Sequence, residues 1–385
     1  MISKTIFSVA SSRLISAAVT FITSLFLIRE LSVIEYGELF FLISLVTFFT
    51  TLPNVGINNY FVYSSESEKV DVWIYTKLVI FVGYILAAIP LFIFLDSGAM
   101  YAVLIGLIFS LFDSVLTVYQ AQQKFKIYSV LLPAKNVVLL MLLFVFSKNY
   151  LDIGLLNAYL VTAVVFTIPF IYSLFKYFPP QKFFSADLIK GAKGFFLFEL
   201  FALIIIRSET WIIKFFDSLS MIDVKALGLY GIVFGLCSGL SILSNSIQSV
   251  LLPRVRKAPD ILYGNGLKKL YVYSVLVSIL YYFSINIFLF FYKEDVFSFS
   301  LIPSSFIIIG MCASFIASLL RLRLVNCGMD KALNVVYVTQ LLLTFLFGSV
   351  FILFGGAVGA AVSFALVRVF GLIFMTNLTR DKYAV

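Results

Sequence analysis

The sequence contains no histidine among its 385 residues. This absence excludes Ser-His-Asp and Cys-His nucleophilic sites, histidine metal ligands and histidine proton relays. The three cysteines, Cys237, Cys312 and Cys327, form neither a CxxC pair nor a metal-binding set, so we predict that they are packing residues. A Walker GxxxxGK(S/T) motif for ATP is also absent. We therefore expect no metal, no cofactor and no catalytic residue in this chain.

Charged residues are scarce: they make up 12% of the chain, against 62% hydrophobic residues, and the mean hydropathy is +1.08. About twelve apolar stretches of roughly 18–24 residues follow one another, and each is long enough to cross a hydrocarbon core of about 30 Å as an α-helix. The polar segments between them are short, so we predict an all-α integral membrane protein. The predicted spans are 7–28, 37–60, 72–95, 99–119, 128–147, 154–175, 194–216, 227–252, 269–291, 302–320, 333–354 and 356–377.

The basic residues outside the membrane interior are distributed unequally between its two sides. The side of the N-terminus carries 18 Lys and Arg residues. The opposite side carries only five, namely Arg29, Lys148, Lys214, Lys225 and Lys293. Because Lys and Arg mark the cytoplasmic side, both termini are predicted to be cytoplasmic. The net charge of +9 then reflects membrane topology, and we do not expect nucleic acid as a partner.

The sequence shows signs of an internal duplication. Arg13 in span 1 precedes Gly37, and Arg207 in span 7 precedes Gly231, with a separation of 24 residues in both cases. The longest polar break, 176–193, falls between spans 6 and 7. We therefore predict two parallel six-helix lobes around a central cavity. Their predicted bounds are 1–178 for the N-terminal lobe, 179–193 for a cytoplasmic linker and 194–385 for the C-terminal lobe.

Eight ionisable residues lie inside predicted spans, where each costs roughly 2.5–3.5 kcal/mol at the helix centre. We predict that the cations line the central cavity and bind an anionic substrate, although two of them lie near span ends and could instead snorkel to the interface. The acids fit ion coupling and simple charge balance equally well. The five cations are Arg13, Lys77, Lys135, Arg207 and Arg368, of which the lysines lie near span ends, and the three acids are Asp113, Glu199 and Glu209.

Four short motifs flank the predicted spans. They are the connection from Arg29-Glu30-Leu31-Ser32 to Glu35-Tyr36-Gly37, span 8 from Leu229-Tyr230-Gly231 to Leu251-Leu252-Pro253-Arg254, the turn Asn326-Cys327-Gly328-Met329-Asp330-Lys331, and the opening of span 12 at Gly355-Gly356-Ala357-Val358-Gly359-Ala360-Ala361. In this order, and over nearly the whole chain, they resemble the motifs of bacterial polysaccharide-unit flippases. Those proteins belong to the superfamily of multidrug, oligosaccharidyl-lipid and polysaccharide exporters.

The resemblance implies a transporter of the bacterial inner membrane. Its function would be to move an oligosaccharide linked to undecaprenyl diphosphate, such as an O-antigen repeat unit of lipopolysaccharide, from the cytoplasmic to the periplasmic leaflet. Alternating access of the two lobes would be the mechanism, with the cavity arginines contacting the diphosphate. The implied partners are the lipid-linked oligosaccharide, membrane phospholipids and other proteins of polysaccharide biosynthesis.

Two other functions are weighed against this interpretation. The first is a multidrug or cation antiporter of the same superfamily, which usually has an acidic cavity, whereas the cavity predicted here is basic. The second is a polysaccharide polymerase or O-antigen ligase. Enzymes of that kind generally have a large periplasmic loop with arginine and histidine, and this chain has neither the loop nor a histidine.

Overall fold

The computed structural model describes residues 2–63, 69–93, 95–146, 151–241, 265–292 and 294–381. These residues form α-helices joined by short turns and contain no strand, and Leu52–Asn54 and Pro90–Ile93 are 3₁₀-helical. In chain order the helices are α1 (Ile2–Glu30), α2 (Val33–Thr51), α3 (Ile57–Tyr63), α4 (Val70–Ala88), α5 (Ser97–Ala121), α6 (Phe125–Phe146), α7 (Leu151–Lys176), α8 (Ala186–Ser218), α9 (Ala226–Cys237), α10 (Asn265–Tyr292), α11 (Glu294–Asn326) and α12 (Asp330–Asp381).

The described helices account for the predicted membrane spans. Nine of them are long and apolar enough to cross a membrane. α12 breaks at Gly356, whose φ of +52° favours glycine, so it has two arms that meet between the predicted spans 333–354 and 356–377. With the arms counted separately, and with α8 and α9 added, the helices correspond to all twelve predicted spans. The all-α membrane fold is therefore confirmed, while the part of span 8 beyond Ser241, with the motif at 251–254, lies outside the described residues.

The chain divides into two compact units. Unit 1 comprises Met1–Thr20 and Leu42–Leu203, and unit 2 comprises Phe21–Phe41 and Ile204–Val385. α1, α2 and α8 each contribute residues to both units. α8 begins at Ala186, inside the segment 179–193 that the sequence predicts as a linker. The lobe boundaries at 178 and 194 stay a prediction.

The second predicted span, 37–60, is not one continuous helix. α2 ends at Thr51, a 3₁₀ turn covers Leu52–Asn54, and α3 begins at Ile57. Within this turn, Pro53 lacks the N–H that a continued helix would use. Gly56 has a φ of +71°, and a Cβ at this position would lie 2.7 Å from the Cα of Phe196. The prediction of an uninterrupted span is therefore wrong, because the backbone turns where α8 passes close to it.

A buried polar network satisfies the groups that this break leaves free. Lys77 is only 2% exposed, and its Nζ donates to the Pro53 carbonyl at 3.1 Å and to Asn54 Oδ1 at 2.9 Å. Asn54 also donates to the Ser110 carbonyl at 3.2 Å and accepts from the Ser114 hydroxyl at 3.2 Å. An unsatisfied backbone group in hydrocarbon costs several kcal/mol. Side chains of α4 and α5 therefore stabilise the broken segment.

Replacing Gly56 with alanine is expected to destabilise unit 1. The new methyl group would lie 2.7 Å from the Phe196 Cα, in a backbone conformation that strains an L-residue. We expect a loss of about 1–3 kcal/mol, seen as a lower unfolding temperature of the purified protein in detergent. Gly83→Ala is the matched control, because in the described part of the chain no atom other than those of its chain neighbours and of its own helix backbone lies within 4 Å of a Cβ there. Equal unfolding temperatures for the two variants would contradict this packing.

The start of α2 is fixed within unit 2. Ser32 and Glu35 form a capping box, in which the Ser32 N–H donates to the Glu35 carboxylate at 2.8 Å and the Glu35 N–H donates to the Ser32 hydroxyl at 3.3 Å. Gly228 at the start of α9 packs directly on this turn, and a Cβ there would lie 1.8 Å from the Val33 carbonyl oxygen. A Cβ at Gly37 would in turn lie 2.8 Å from the Gly228 nitrogen. The motif at residues 29–37 therefore builds a close crossing of α2 and α9.

Candidate functional site

The eight charges predicted for the site divide between the two units. They differ in burial and in whether a protein group already binds them. Unit 1 holds Arg13, Lys77, Asp113, Lys135 and Glu199, and unit 2 holds Arg207, Glu209 and Arg368.

Two of the charges in unit 1 hold the break between α2 and α3. The Lys77 side chain does not extend to the membrane interface at the end of its helix, since its ammonium binds the 3₁₀ turn at Leu52–Asn54. Glu199 of α8 accepts a hydrogen bond from the Gly56 backbone N–H at 2.7 Å and another from the Asn59 side-chain amide at 2.5 Å. Both side chains thus have protein partners on the two sides of one turn. This placement supports a structural role and charge balance for Lys77 and Glu199.

Arg13 connects α1 to α6 within unit 1. Its Nη2 donates to the Tyr128 hydroxyl, and its guanidinium carbon lies 5.6 Å from the centre of that ring. A hydrogen bond from the Ser12 hydroxyl to the Ser129 carbonyl, 2.6 Å long, joins the same two helices. The Nε of Arg13 is buried without a hydrogen-bond partner in the described part of the chain. Arg13 therefore anchors α6 and keeps one N–H for another acceptor.

Lys135 and Asp113 are electrostatic partners in unit 1. Lys135, Lys77 and Arg13 are the cations that act electrostatically on the Asp113 carboxylate. The Lys135 Nζ also lies 5.3 Å from the ring centre of Phe109, within the range of a cation–π contact. Asp113 thus offsets part of the positive charge of unit 1, which supports charge balance as its role.

The remaining three charges come together in unit 2. α8 supplies Arg207 and Glu209, and the second arm of α12 supplies Arg368. Arg368 joins the two helices, because its Nη2 donates to the Ile205 carbonyl at 3.2 Å. The Phe364 ring, one turn earlier on α12, lies with its centre 4.9 Å from the Arg368 guanidinium carbon. Arg368 is 7% exposed and Glu209 is 1% exposed, so both side chains are deeply buried.

Hydrogen bonding within this cluster is incomplete. Among the described residues, neither carboxylate oxygen of Glu209 has a hydrogen-bond partner, and the Nε of Arg207 is likewise buried without one. Arg368 is close enough to Glu209 to act on it electrostatically, but no hydrogen bond joins them among the described residues. Buried charges cost several kcal/mol each after relaxation, and buried polar groups nearly always have partners. Exceptions of this kind are common where a protein binds a ligand, a proton or an ion.

Tyr230 of α9 is a member of this cluster that the sequence analysis missed. It is 1% exposed, and its hydroxyl lies within electrostatic range of Glu209, Arg368 and Arg207. In the sequence, Tyr230 is marked only by its place in the motif Leu229-Tyr230-Gly231. The available signal is chemical, since a tyrosine buried in an apolar helix usually brings its hydroxyl to a polar partner. The unit 2 cluster therefore consists of Arg207, Glu209, Tyr230 and Arg368.

The unit 2 cluster is suited to an anion. Its two arginines outnumber its single acid, so its formal charge is positive. Guanidinium groups bind phosphate oxygens through paired N–H donors, which a lysine cannot reproduce. Within the described ranges, no group of three or more Cys, Asp or Glu side chains is arranged to hold a metal ion.

Comparison of the sequence with protein-family models and with curated protein sequences gives no match. Solved structures are similar in fold. The lipid II flippase MurJ in an inward closed conformation aligns with a TM-score of 0.70 and 14% identity, over 97% of this chain and 87% of that chain. An outward-facing multidrug resistance MATE family transporter of the MOP superfamily aligns with a TM-score of 0.64 and 10% identity, over 99% of this chain and 96% of that chain.

A eukaryotic MATE transporter gives a similar result, with a TM-score of 0.59 and 14% identity over 98% of this chain and 95% of that chain. At such identities the similarity establishes the fold, which is the fold that the sequence resemblance implies. The chain therefore has the fold shared by a lipid II flippase and by MATE transporters.

Proposed function

We propose that this chain is a flippase of the bacterial inner membrane. Its substrate is an oligosaccharide linked to undecaprenyl diphosphate, such as an O-antigen repeat unit. The chain carries this lipid from the cytoplasmic to the periplasmic leaflet by alternating access between two lobes. No covalent bond changes in this process, so the chain is a transporter and not an enzyme.

The observation that carries this proposal is the positive charge of the unit 2 cluster. Arg207 and Arg368 are opposed there only by Glu209, and Arg207 has a buried N–H without a partner. A diphosphate offers several anionic oxygens, which guanidinium groups bind with charge-assisted hydrogen bonds. The similar fold of a lipid II flippase supports a lipid-linked substrate for this chain as well. Arg13, with one unpartnered Nε, is proposed as a further contact to the substrate.

The proposed direction of transport depends on the topology. The excess of Lys and Arg on the N-terminal side supports cytoplasmic termini. We further propose that the segment 179–193 is a cytoplasmic linker between the two lobes, and that phospholipids and other polysaccharide assembly proteins are partners of the chain. Basic residues at the cytoplasmic side are suited to anionic lipid headgroups.

A multidrug or cation antiporter is the second candidate. The specific observation in its favour is Glu209, a buried carboxylate without a hydrogen-bond partner in the described residues. A buried acid of this kind can exchange a proton or a cation during transport. The similar fold of MATE transporters is compatible with this function. The excess of arginine over acid in the same cluster makes an anionic substrate the better fit.

Complementation separates the two candidates. The chain is expressed in a panel of strains that each lack their own O-unit flippase, and surface O-antigen is measured. We expect O-antigen to return in at least one strain, with the strain's own flippase as the positive control and an empty vector as the negative control. Absence of rescue in every strain, combined with resistance to cationic drugs conferred by the same membrane-inserted protein, would establish the antiporter instead.

A further inference from the structure

A polar cavity lies in unit 1, beside the ends of three membrane helices. α4 begins at Val70, α5 ends at Ala121 and α7 ends at Lys176, and each is long and apolar enough to cross a membrane. The cavity has a volume of about 400 Å³, which is within the range of ligand pockets, about 300–1,000 Å³. Its lining includes Asp71, Gln122, Lys176, Tyr177, Phe178 and Gln181.

The cavity lies at the depth of lipid headgroups. The polar headgroup region covers each face of the hydrocarbon core with a layer about 5–7 Å thick. Asp71 and Gln122 line the cavity one residue from the ends of α4 and α5, so they lie in this layer. Phe178 also lines the cavity and is 67% exposed, and Phe175 in the last turn of α7 is 79% exposed. A phospholipid can therefore reach the polar lining with its headgroup while its acyl chains contact the exposed rings.

Contacts within unit 1 hold the walls of the cavity in place. The Gln181 backbone N–H donates to the Asp71 Oδ2 at 3.2 Å. The Tyr75 hydroxyl donates to the Leu174 carbonyl at 2.7 Å, and the Phe183 ring lies edge-on to the Tyr75 ring with a centroid distance of 5.3 Å. The segment that follows α7 is thus docked on α4. The cavity is therefore a formed feature of unit 1 and not a gap beneath a detached loop.

The cavity carries one charge of each sign. Asp71 supplies a carboxylate and Lys176 supplies an ammonium group, whose Nζ lies 5.5 Å from the ring centre of Tyr177. Among the described residues neither side chain takes part in an ion pair. The helix ends act in the same way, since the C-terminal ends of α5 and α7 favour a cation and the N-terminal turn of α4 favours an anion. This arrangement suits a ligand that itself carries both charges.

Hydrogen-bonding capacity narrows the choice of headgroup. The side-chain amides of Gln122 and Gln181 make no hydrogen bond within the described ranges, so both can donate to and accept from a ligand. A glycerol headgroup presents only a negative charge, which Asp71 repels. A choline headgroup has both charges but no N–H to donate. An ethanolamine headgroup has a phosphate for the ammonium of Lys176 and an ammonium with three N–H donors for the carboxylate and the amides.

We propose that this cavity binds the headgroup of phosphatidylethanolamine, with the lipid ammonium on Asp71 and the lipid phosphate on Lys176. On the predicted topology the lipid belongs to the cytoplasmic leaflet. The proposal gives a site and a headgroup to the phospholipid partner. It rests on the membrane fold and on these contacts, and it does not depend on which substrate the chain transports.

Native mass spectrometry of the full chain tests this assignment. The protein is released from nanodiscs that contain equal mole fractions of phosphatidylethanolamine, phosphatidylcholine and phosphatidylglycerol, and the lipids that stay bound are counted. Partly exposed ion pairs change affinity by up to about fivefold, so we expect phosphatidylethanolamine to be retained about threefold to fivefold over each of the others. Equal retention of the ethanolamine and choline lipids, or a preference for phosphatidylglycerol, would overturn the proposal.

Two variants assign the preference to the cavity. Asp71→Asn keeps an oxygen that can accept from the Gln181 N–H but loses the charge, so we expect the preference for phosphatidylethanolamine to disappear. Asp187→Asn is the matched control, because Asp187 lies in the first turn of α8 as Asp71 does in α4, and it does not line the cavity. A preference that survives Asp71→Asn, or that Asp187→Asn abolishes equally, would reject this site. Lipid retention is measured without the transported substrate, so failure of the complementation experiment would leave this result unchanged.

Discussion

Replacing Arg207 with alanine is expected to lower export at least about tenfold while the protein remains in the membrane at its normal level. The variant would lose the proposed charge-assisted hydrogen bonds to the substrate diphosphate, which are worth about 1.5–3 kcal/mol. The Arg207 Nε has no hydrogen-bond partner in the described structure. Its removal therefore leaves no protein acceptor without a hydrogen bond from that N–H. Surface O-antigen in the complementing strain, normalised to the amount of the chain in the membrane fraction, measures the effect.

Arg207→Lys distinguishes paired hydrogen bonds from charge alone. Lysine keeps the positive charge but loses the planar guanidinium fork, so we expect export between that of the wild type and that of Arg207→Ala. Lys214→Ala is the matched control on the same helix. Lys214 lies two turns further along α8, where it pairs with Glu38 and Asp217 and has 28% of its side chain exposed. Such partly exposed pairs contribute about 0–1 kcal/mol, so export should be near normal. Equal export by Arg207→Ala and Lys214→Ala would remove Arg207 from the mechanism.

The sequence predicts the membrane helices well, because the bilayer restricts what an apolar segment can do. Backbone groups in hydrocarbon must be satisfied internally, so an apolar run of sufficient length becomes a helix. The spans predicted at 99–119 and 154–175 are observed as Ser97–Ala121 and Leu151–Lys176. α8 is longer than its predicted span because its polar first turns, from Ala186, continue the helix beyond the apolar part. Hydropathy locates the apolar length of a helix and does not locate its ends.

The break in the second span shows a different limit. Hydropathy over residues 37–60 is continuous, and the interruption comes from Pro53 and Gly56, which lie three residues apart. These residues are breaker signals in any sequence. Their presence alone does not decide between a kink and an end of the helix. The end of the helix here depends on Lys77 and Glu199, which are distant in sequence. They bind the backbone groups that the break leaves without helical partners.

The candidate site is predictable only in part, because it too depends on contacts between residues that are distant in sequence. Charge within an apolar span identifies Lys77 and Lys135 equally well, and both lie near span ends. In the structure the first is bound to a backbone turn, whereas the second lies over aromatic rings beside Asp113. Composition cannot distinguish a structural cation from one that is available to a ligand. Only the partners supplied by other helices do so, and the same holds for Tyr230, which joins the unit 2 cluster from α9.

Loss of Arg368 is expected to destabilise unit 2 as well as to stop transport. Arg368→Met removes a cation that acts electrostatically on the buried Glu209 carboxylate. It also removes the hydrogen bond that the Arg368 Nη2 donates to the Ile205 carbonyl, and it leaves the cluster of the buried Glu209 with one cation fewer. A buried charge or backbone group without compensation costs several kcal/mol. We expect a lower unfolding temperature in detergent, less protein in the membrane and no export by what remains.

The double variant Arg368→Met, Glu209→Gln separates the two effects. Glutamine removes the uncompensated charge, so the unfolding temperature should recover much of its loss, while export should stay absent because the proposed diphosphate contact is gone. Arg368→Met combined with Asp217→Asn is the matched control. Asp217 lies on α8, as Glu209 does, but it pairs with Lys214. That combination should be no more stable than Arg368→Met alone. Equal stability of both double variants would show that Arg368 and Glu209 do not compensate each other. Recovery of export in the glutamine variant would show that Arg368 balances charge and does not contact the substrate.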